Sequence, residues 1–355
     1  MFKFDFTPSK EGAVDTSKSE EKAEVDRMMA KLTDRAKMSA NSCILLDTSS
    51  VTSVIASEKL APCVYERIDL QPSTIDGLHY VILPQHTSLS EKNTDIIPGV
   101  YEGGLKVWEC SIDLCRFLAH IIMMDEKEFN DSDVINARDA VRRSIGDGGS
   151  ALELGCGHGL PACLLLRESV LRCTHAVFLF SDFNDFVLRD VTIPNARLNI
   201  RGLFYQQVDD SVHDKTIQAL SRRSVFAGGD WMGLSHKLSN NEVFLHATPD
   251  EERVVVKTQF DVILASETTY TNESCRDTAY LMLKHLKVDV GVGLVATKRF
   301  YFGVGGGVDA FTTAADNLSE RCESNGLRLV VRTIQSYDKG NANIRDLLEV
   351  RLVKK

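Results

Sequence analysis

The chain has 355 residues, 43% of them hydrophobic and 26% charged, which is enough apolar content for one large α/β domain with extensions and excludes a fibrous or wholly disordered class. A net charge of -9 weighs against broad electrostatic capture of nucleic acid or of an anionic membrane, and makes a basic protein the easier partner. Nine cysteines without a CxxC pair and nine histidines without HExxH spacing point to reduced thiols and to no metal site.

No apolar run approaches the ~20 residues that span a bilayer, and the first residues lack a signal-type apolar core, so a soluble cytoplasmic or nuclear protein is expected. Residues 1–42 are rich in Ser, Lys, Glu and Asp and read as a flexible arm, within which Val25, Met28, Met29 and Leu32 keep helical spacing. Residues 43–104 hold β-rich pieces punctuated by prolines and read as an N-terminal extension on the main domain, 105–355. A helix is predicted after Trp108, where Ile112, Cys115, Leu118, Ala119 and Ile122 share a face.

Seven strands are predicted at 151–154, 176–180, 224–227, 260–265, 291–297, 327–334 and 347–352, the last two as an antiparallel pair. Helices are predicted at 160–171 and 185–200, and the β, loop, helix, β alternation implies a parallel sheet with right-handed crossovers. The polar stretch 233–258 reads as a surface insertion.

The segment Glu153-Leu154-Gly155-Cys156-Gly157-His158-Gly159 sits where a strand meets a helix, so Gly155 and Gly157 let a ligand approach the backbone. It is not a dinucleotide fingerprint, because the third glycine position is Leu160, too bulky for close helix approach. Glycines at alternate places after an acidic residue resemble motif I of seven-strand methyltransferases, with Glu153 near the cationic methionine end of S-adenosylmethionine. Asp182 ends the second strand, where a carboxylate takes both ribose hydroxyls, and Phe183 and Asn184 flank the nucleoside. Taken alone, an Asp at a strand end is often a helix cap for the residues that follow.

After the third strand, Gly229, Asp230 and Trp231 offer an acceptor for the adenine amino group and an indole to cover the ring. After the fourth, Ser266, Glu267, Thr268, Thr269 and Tyr270 aim polar groups at the same edge, and here too a helix cap is the alternative.

With these pieces Ile97-Pro98-Gly99-Val100-Tyr101-Glu102-Gly103-Gly104, Lys106-Val107-Trp108-Glu109-Cys110 and Tyr301-Phe302-Gly303-Val304-Gly305-Gly306-Gly307-Val308 complete a pattern. From about residue 97 to the end the chain resembles the protein-histidine N-methyltransferases related to yeast histidine protein methyltransferase 1 and its animal methyltransferase-like counterparts. The resemblance implies a class I, Rossmann-like, S-adenosylmethionine-dependent fold, with Val107, Trp108, Glu109, Cys110 and Ser111 added to Gly155, Asp182 to Asn184, Gly229 to Trp231 and Ser266 in the cofactor site. It also implies a protein substrate, the L-three family of large-subunit ribosomal proteins, methylated on the tele nitrogen of a histidine, with a role in ribosome biogenesis or translation. Glu153 stands where Asp is common in the family, and His158 where a small residue is usual.

A neutral imidazole is already a nucleophile near neutral pH, so the site needs to align one nitrogen and hold the other through a hydrogen bond, a task given to Glu267 with Tyr270 as a wall. The expected agent is a monomer that reads no nucleic-acid sequence. The rivals are a protein-lysine methyltransferase of the same fold and a non-catalytic ribosome-assembly binding module.

Overall fold

The computed structural model describes residues 30–32, 34–35, 42–46, 53, 64–70, 78–82, 102–123, 132–201, 211–245, 254–321, 326–338 and 343–355. Most of the expected arm, including the Phe2, Phe4 and Phe6 alternation and the Val25 to Met29 helical spacing, and residues 97–101 of the family pattern lie outside them.

Twelve strands occur among the described residues: β1 (Ile44–Leu45), β2 (Val64–Ile68), β3 (Leu78–Ile82), β4 (Ser150–Leu154), β5 (Val177–Asp182), β6 (Ser224–Gly228), β7 (Phe244–Leu245), β8 (Val254–Val255), β9 (Val262–Ser266), β10 (Val292–Lys298), β11 (Leu327–Tyr337) and β12 (Arg345–Lys354). Eight form one sheet in the order β1-β6-β5-β4-β9-β10-β12-β11. β6, β5, β4, β9 and β10 are parallel; β12 runs antiparallel between β10 and β11, and β1 adds an antiparallel edge. Setting β1 aside, these are the seven strands read from the sequence, with β11 and β12 as the antiparallel pair. The chain reverses its direction of winding between β4 and β9, and ligands of open α/β sheets bind at the carboxyl edge of such a switch point.

The helices are α1 (Glu109–Met123), α2 (Ser132–Ser144), α3 (Leu160–Leu171), α4 (Asp185–Val187, a π turn Leu188–Thr192, then Ile193–Arg201), α5 (Ser211–Ser221), α6 (Trp231–Ser239), α7 (Asn272–His285) and α8 (Val308–Arg321). The period of two along each strand divides the core. Ala151, Phe178, Phe180, Phe226 and Leu264 pack towards α1, α2, α3 and α4, whereas Leu152, Leu154, Leu179, Val225 and Ile263 pack towards α6, α7 and α8. Both faces being covered, the strands read as unbroken apolar runs. Pro194 has no N–H to give to the helix, and a π turn, in which the Ile193 N–H reaches the Leu188 carbonyl, stands just before it.

Two differences from the sequence reading stand out. The stretch 233–258, read as a surface insertion, begins inside α6 and continues to β7, and its Leu234, Leu238, Val243, Leu245 and Val256 are core residues. Secondly, the expected arm is seated at its end: Leu32 is buried in the same core, and Ser42 and Cys43 run against Gly229. The β2-β3 hairpin stands apart from the main sheet, with Ile68, Leu70 and Leu78 in the core.

Candidate functional site

A cavity of about 640 Å³ opens at the carboxyl edge of β4, β5, β6 and β9. Its floor is the turn after β4. Gly155, Gly157 and Gly159 take φ of 58°, 50° and 65°, the left-handed region that glycine adopts without strain. A Cβ on Gly155 would come within 2.9 Å of Thr268 and 3.3 Å of Trp231, so the bare backbone leaves room between these walls.

Asp182 lies beside the turn. Its Oδ2 accepts the Gly157 N–H at 2.8 Å and its Oδ1 the Asn184 N–H at 3.0 Å. Burial pushes its carboxyl up to about 6, against the pull of those backbone donors, and Glu102 nearby adds to the rise. Phe183 and Trp231 line the same end, and the buried Trp231 Nε1 has no protein partner.

Residues 102–104, part of the family pattern but not among the expected cofactor-site residues, close the cavity from outside. Glu102 donates its N–H to Asn184 Oδ1 at 3.1 Å, and the Tyr270 hydroxyl donates to the Glu102 carboxylate. Gly103 accepts the Trp108 indole N–H at 3.0 Å, and Gly104 lies on Gly157 so closely that a Cβ there would meet the Gly104 carbonyl at 3.1 Å. Tyr270 therefore straps the β9-α7 loop to residues 102–104; burial and the Glu102 charge push its phenol up, so it stays a donor.

At the opposite end two ammonium groups lie over the Trp108 ring, Lys106 at 4.5 Å and Lys298 at 5.4 Å from its centroid. Glu267 stands beside them with φ 55°, rare for a residue with a side chain and costly unless its surroundings fix it. Its N–H is held by the Ala296 carbonyl at 2.9 Å, its Oε2 accepts the Tyr301 hydroxyl at 2.6 Å, and Lys298 Nζ is 3.7 Å from the same oxygen.

Of the predicted residues, Val107, Trp108, Ser111, Gly155, Gly157, Asp182, Phe183, Asp230, Trp231, Ser266, Glu267 and Tyr270 line this one cavity. Others do not. Glu153 lies beneath the turn, fully buried, its Oε2 accepting the Ala162 N–H at 2.9 Å in the first turn of α3. Glu109 points to Arg345 at 3.1 Å, and Cys110 is wholly buried behind the wall. Successive helical residues differ by about 100°, so Glu109, Cys110 and Ser111 at the start of α1 cannot all face one ligand. Asn184 works through Glu102, and Gly229, at φ 108°, makes room for the Ser42 carbonyl.

Asp230 is the N-cap of α6, accepting the Met232 N–H at 2.7 Å, and its other oxygen pairs with Arg35 at 3.2 Å. Arg35, Lys298 and Tyr301 are cavity residues that sequence reasoning did not assign. The lysine ends β10 and the tyrosine opens the glycine signature that follows it, a usable signal; Arg35 had none.

No family model matches the chain. It is 30% identical to a histidine protein methyltransferase 1 homolog of Dictyostelium discoideum over 72% of this chain and 60% of that one. It is also 30% identical to histidine protein methyltransferase 1 of Schizosaccharomyces pombe over 69% and 65%, and 27% identical to that of Saccharomyces cerevisiae over 64% and 60%. The chain thus spans less than two thirds of the length of these relatives, and is related to them over the shared part. Among solved structures, a S-adenosylmethionine-dependent methyltransferase of Streptococcus mutans aligns with TM-score 0.37 at 10% identity, over 62% of this chain and 49% of that one.

Proposed function

We propose that the chain is a protein-histidine N-methyltransferase that uses S-adenosylmethionine, and that its acceptor is a large-subunit ribosomal protein of the L-three family. The observation that carries the reading is the cavity at the switch point, which gathers the glycine turn, Asp182, Trp231 and Glu267 in one place, on a chain related to the histidine protein methyltransferase 1 proteins. The residues fit the cofactor: about 640 Å³ is in the range of small-molecule sites, and Trp231 Nε1 and Thr268 Oγ1 are buried polar atoms that the protein leaves unpaired.

In this reading Asp182 takes the ribose hydroxyls, Phe183 and Trp231 flank the base, and Gly155 and Gly157 admit the amino acid end. Bound S-adenosylmethionine supplies an electrophilic methyl. The chain's own work is to exclude water with residues 102–104, strapped through Tyr270, and to hold the acceptor's N–H at Glu267 so that the other ring nitrogen keeps its lone pair. Methylation at the tele nitrogen, monomeric action, cytoplasmic and nuclear residence and a role in ribosome biogenesis or translation belong to the same proposal.

The test begins with binding. Both tryptophans of the chain, Trp108 and Trp231, line the cavity, so intrinsic fluorescence reports this site alone. S-adenosylhomocysteine should change it, and D182A should weaken binding by about tenfold or more, the loss of hydrogen bonds to a charged group. Labelled cofactor with ribosomal protein from cells lacking the enzyme should then place the label on a histidine of the L-three protein. A label on lysine or on RNA overturns the acceptor assignment.

A further inference from the structure

The acceptor end of the cavity contains a carboxylate with one oxygen engaged and one left over. Glu267 is 6% exposed at its side chain; its Oε2 has the Tyr301 hydroxyl and Lys298, while Oε1 has no hydrogen-bond partner. A buried acceptor without a donor is costly unless a ligand completes it. The groups around it are the Cys110 thiol from α1, which lies close enough to the carboxylate to hydrogen-bond to it but reaches Oε1 in no well-formed bond, Tyr301 from the loop after β10, and Lys298 from the end of β10. Burial, then the charge of Glu267, pushes the Cys110 thiol and the Tyr301 phenol well above their ordinary values, so neither adds negative charge. Tyr301 is itself held, with its hydroxyl 3.4 Å from the Thr297 hydroxyl and from the Lys298 N–H.

The charge balance decides what enters. Lys298 is 22% exposed, stacked over the Trp108 and Tyr301 rings at 5.4 and 5.6 Å, and cancels the charge of Glu267; Lys106 adds a positive charge over the same Trp108 ring. An ammonium group seeking Glu267 Oε1 meets a fixed cation on the same carboxylate. A neutral ring N–H meets an acceptor and no repulsion.

We propose that Lys298 and Tyr301 are positioning residues that hold Glu267 with Oε1 towards the cavity, and that Lys298 sets acceptor specificity by favouring a neutral imidazole over an ammonium group. This rests on the methyltransferase reading above. Tyr301 fixes the direction of the carboxylate, and Lys298 fixes the local charge.

The test uses imidazole and methylammonium as probes, titrated into the full chain saturated with S-adenosylhomocysteine and followed by tryptophan fluorescence at about pH 8.5, where imidazole is neutral and the amine is charged. Wild type should bind imidazole at least about tenfold more tightly than methylammonium, as an uncompensated cation beside Lys298 demands. K298M should bring the ratio to about one or reverse it, and K298R should restore it. Y301F should weaken imidazole by about tenfold while the S-adenosylhomocysteine Kd stays within about twofold. Equal affinity for the two probes in wild type, no binding of imidazole, or an unchanged ratio in K298M overturns the inference and leaves the cofactor reading standing. Failure of S-adenosylhomocysteine to bind overturns that reading, and this inference with it.

Discussion

Glu153 shows what position alone can and cannot say. It ends a strand next to a glycine turn, which suggests a ligand contact, yet its side chain falls on the α3 side of the sheet, the face it shares with Ala151. On a strand covered on both faces, neighbouring residues are equally apolar, so the sequence carries no mark of which face a lone acid takes. Burial pushes the Glu153 carboxyl up to about 8, with Oε1 unpaired, and Asp182 up to about 6. In the unfolded chain both ionise near ordinary carboxylate values, so the folded state binds more protons between those values and the raised ones, and stability falls as pH rises from about 4 through about 8. E153Q keeps an oxygen for the Ala162 N–H and removes the ionisation. It should match wild type near pH 5 and exceed it by on the order of 2 kcal/mol near pH 8.5, read as a higher melting temperature. Equal melting at both pH values would show that Glu153 is not held neutral. Asp182, Trp231 and Glu267 were legible because strand ends in a parallel sheet converge on one edge. Lys298 and Tyr301 were within reach of the same rule, at the end of β10 and the start of the loop after it, but their task depends on the turn that Glu267 makes at φ 55°, which no residue pattern announces.

Elements were legible where their hydrophobic pattern was continuous. The seven core strands and α3 fall at or within a few residues of their predicted places, because each strand is a short apolar run bounded by turns and α3 is a long one directly after the glycines. α6 was missed: it runs for nine residues, carries Gly233, and shows only Leu234 and Leu238 at i, i+4 beside Met232 before polar sequence resumes. Helix α7, by contrast, has a visible start. Thr271 accepts the Ser274 N–H at 3.0 Å and donates its own N–H to the Ser274 hydroxyl at 3.0 Å, a reciprocal box at a helix end whose Thr271, Glu273 and Ser274 line the cavity. T271A and S274A should each lower unfolding stability by about 1 kcal/mol in urea denaturation, and the double variant by less than the sum, since each change already breaks the pair. Strict additivity would mean that the two hydroxyls act independently.

The molecule as a whole closes its site from the N-terminal side, and one guanidinium does so against three acids. Arg35 sits 3.2 Å from Asp230, 3.0 Å from Glu273 and 2.9 Å from Asp277, which belong to the N-cap of α6 and to α7, so a residue outside the seven-strand domain neutralises the rim of the nucleoside end. Leu32 anchors the segment in the core one helical turn earlier. Burial pushes the Asp277 carboxyl up to about 6, with Glu273 and Asp230 adding to the rise and Arg35 holding it down. Removing Arg35 therefore moves Asp277 further up. Below about pH 5 Asp277 is protonated in the folded protein with or without Arg35, and the guanidinium has less to hold; towards pH 8 the variant must either carry three unshielded acids or keep a proton that the unfolded chain gives up. R35A should thus melt close to wild type at about pH 5 and several degrees below it at about pH 8, a gap that shrinks in high salt because Arg35 is partly exposed. The same variant should bind S-adenosylhomocysteine more weakly at about pH 8, since Asp230 and Asp277 line the cavity and their repulsion opens its wall. Equal melting losses at the two pH values would reduce Arg35 to packing, and among the described residues the seam between the N-terminal segment and the sheet edge would then rest on Leu32, Ser42, Cys43 and β1.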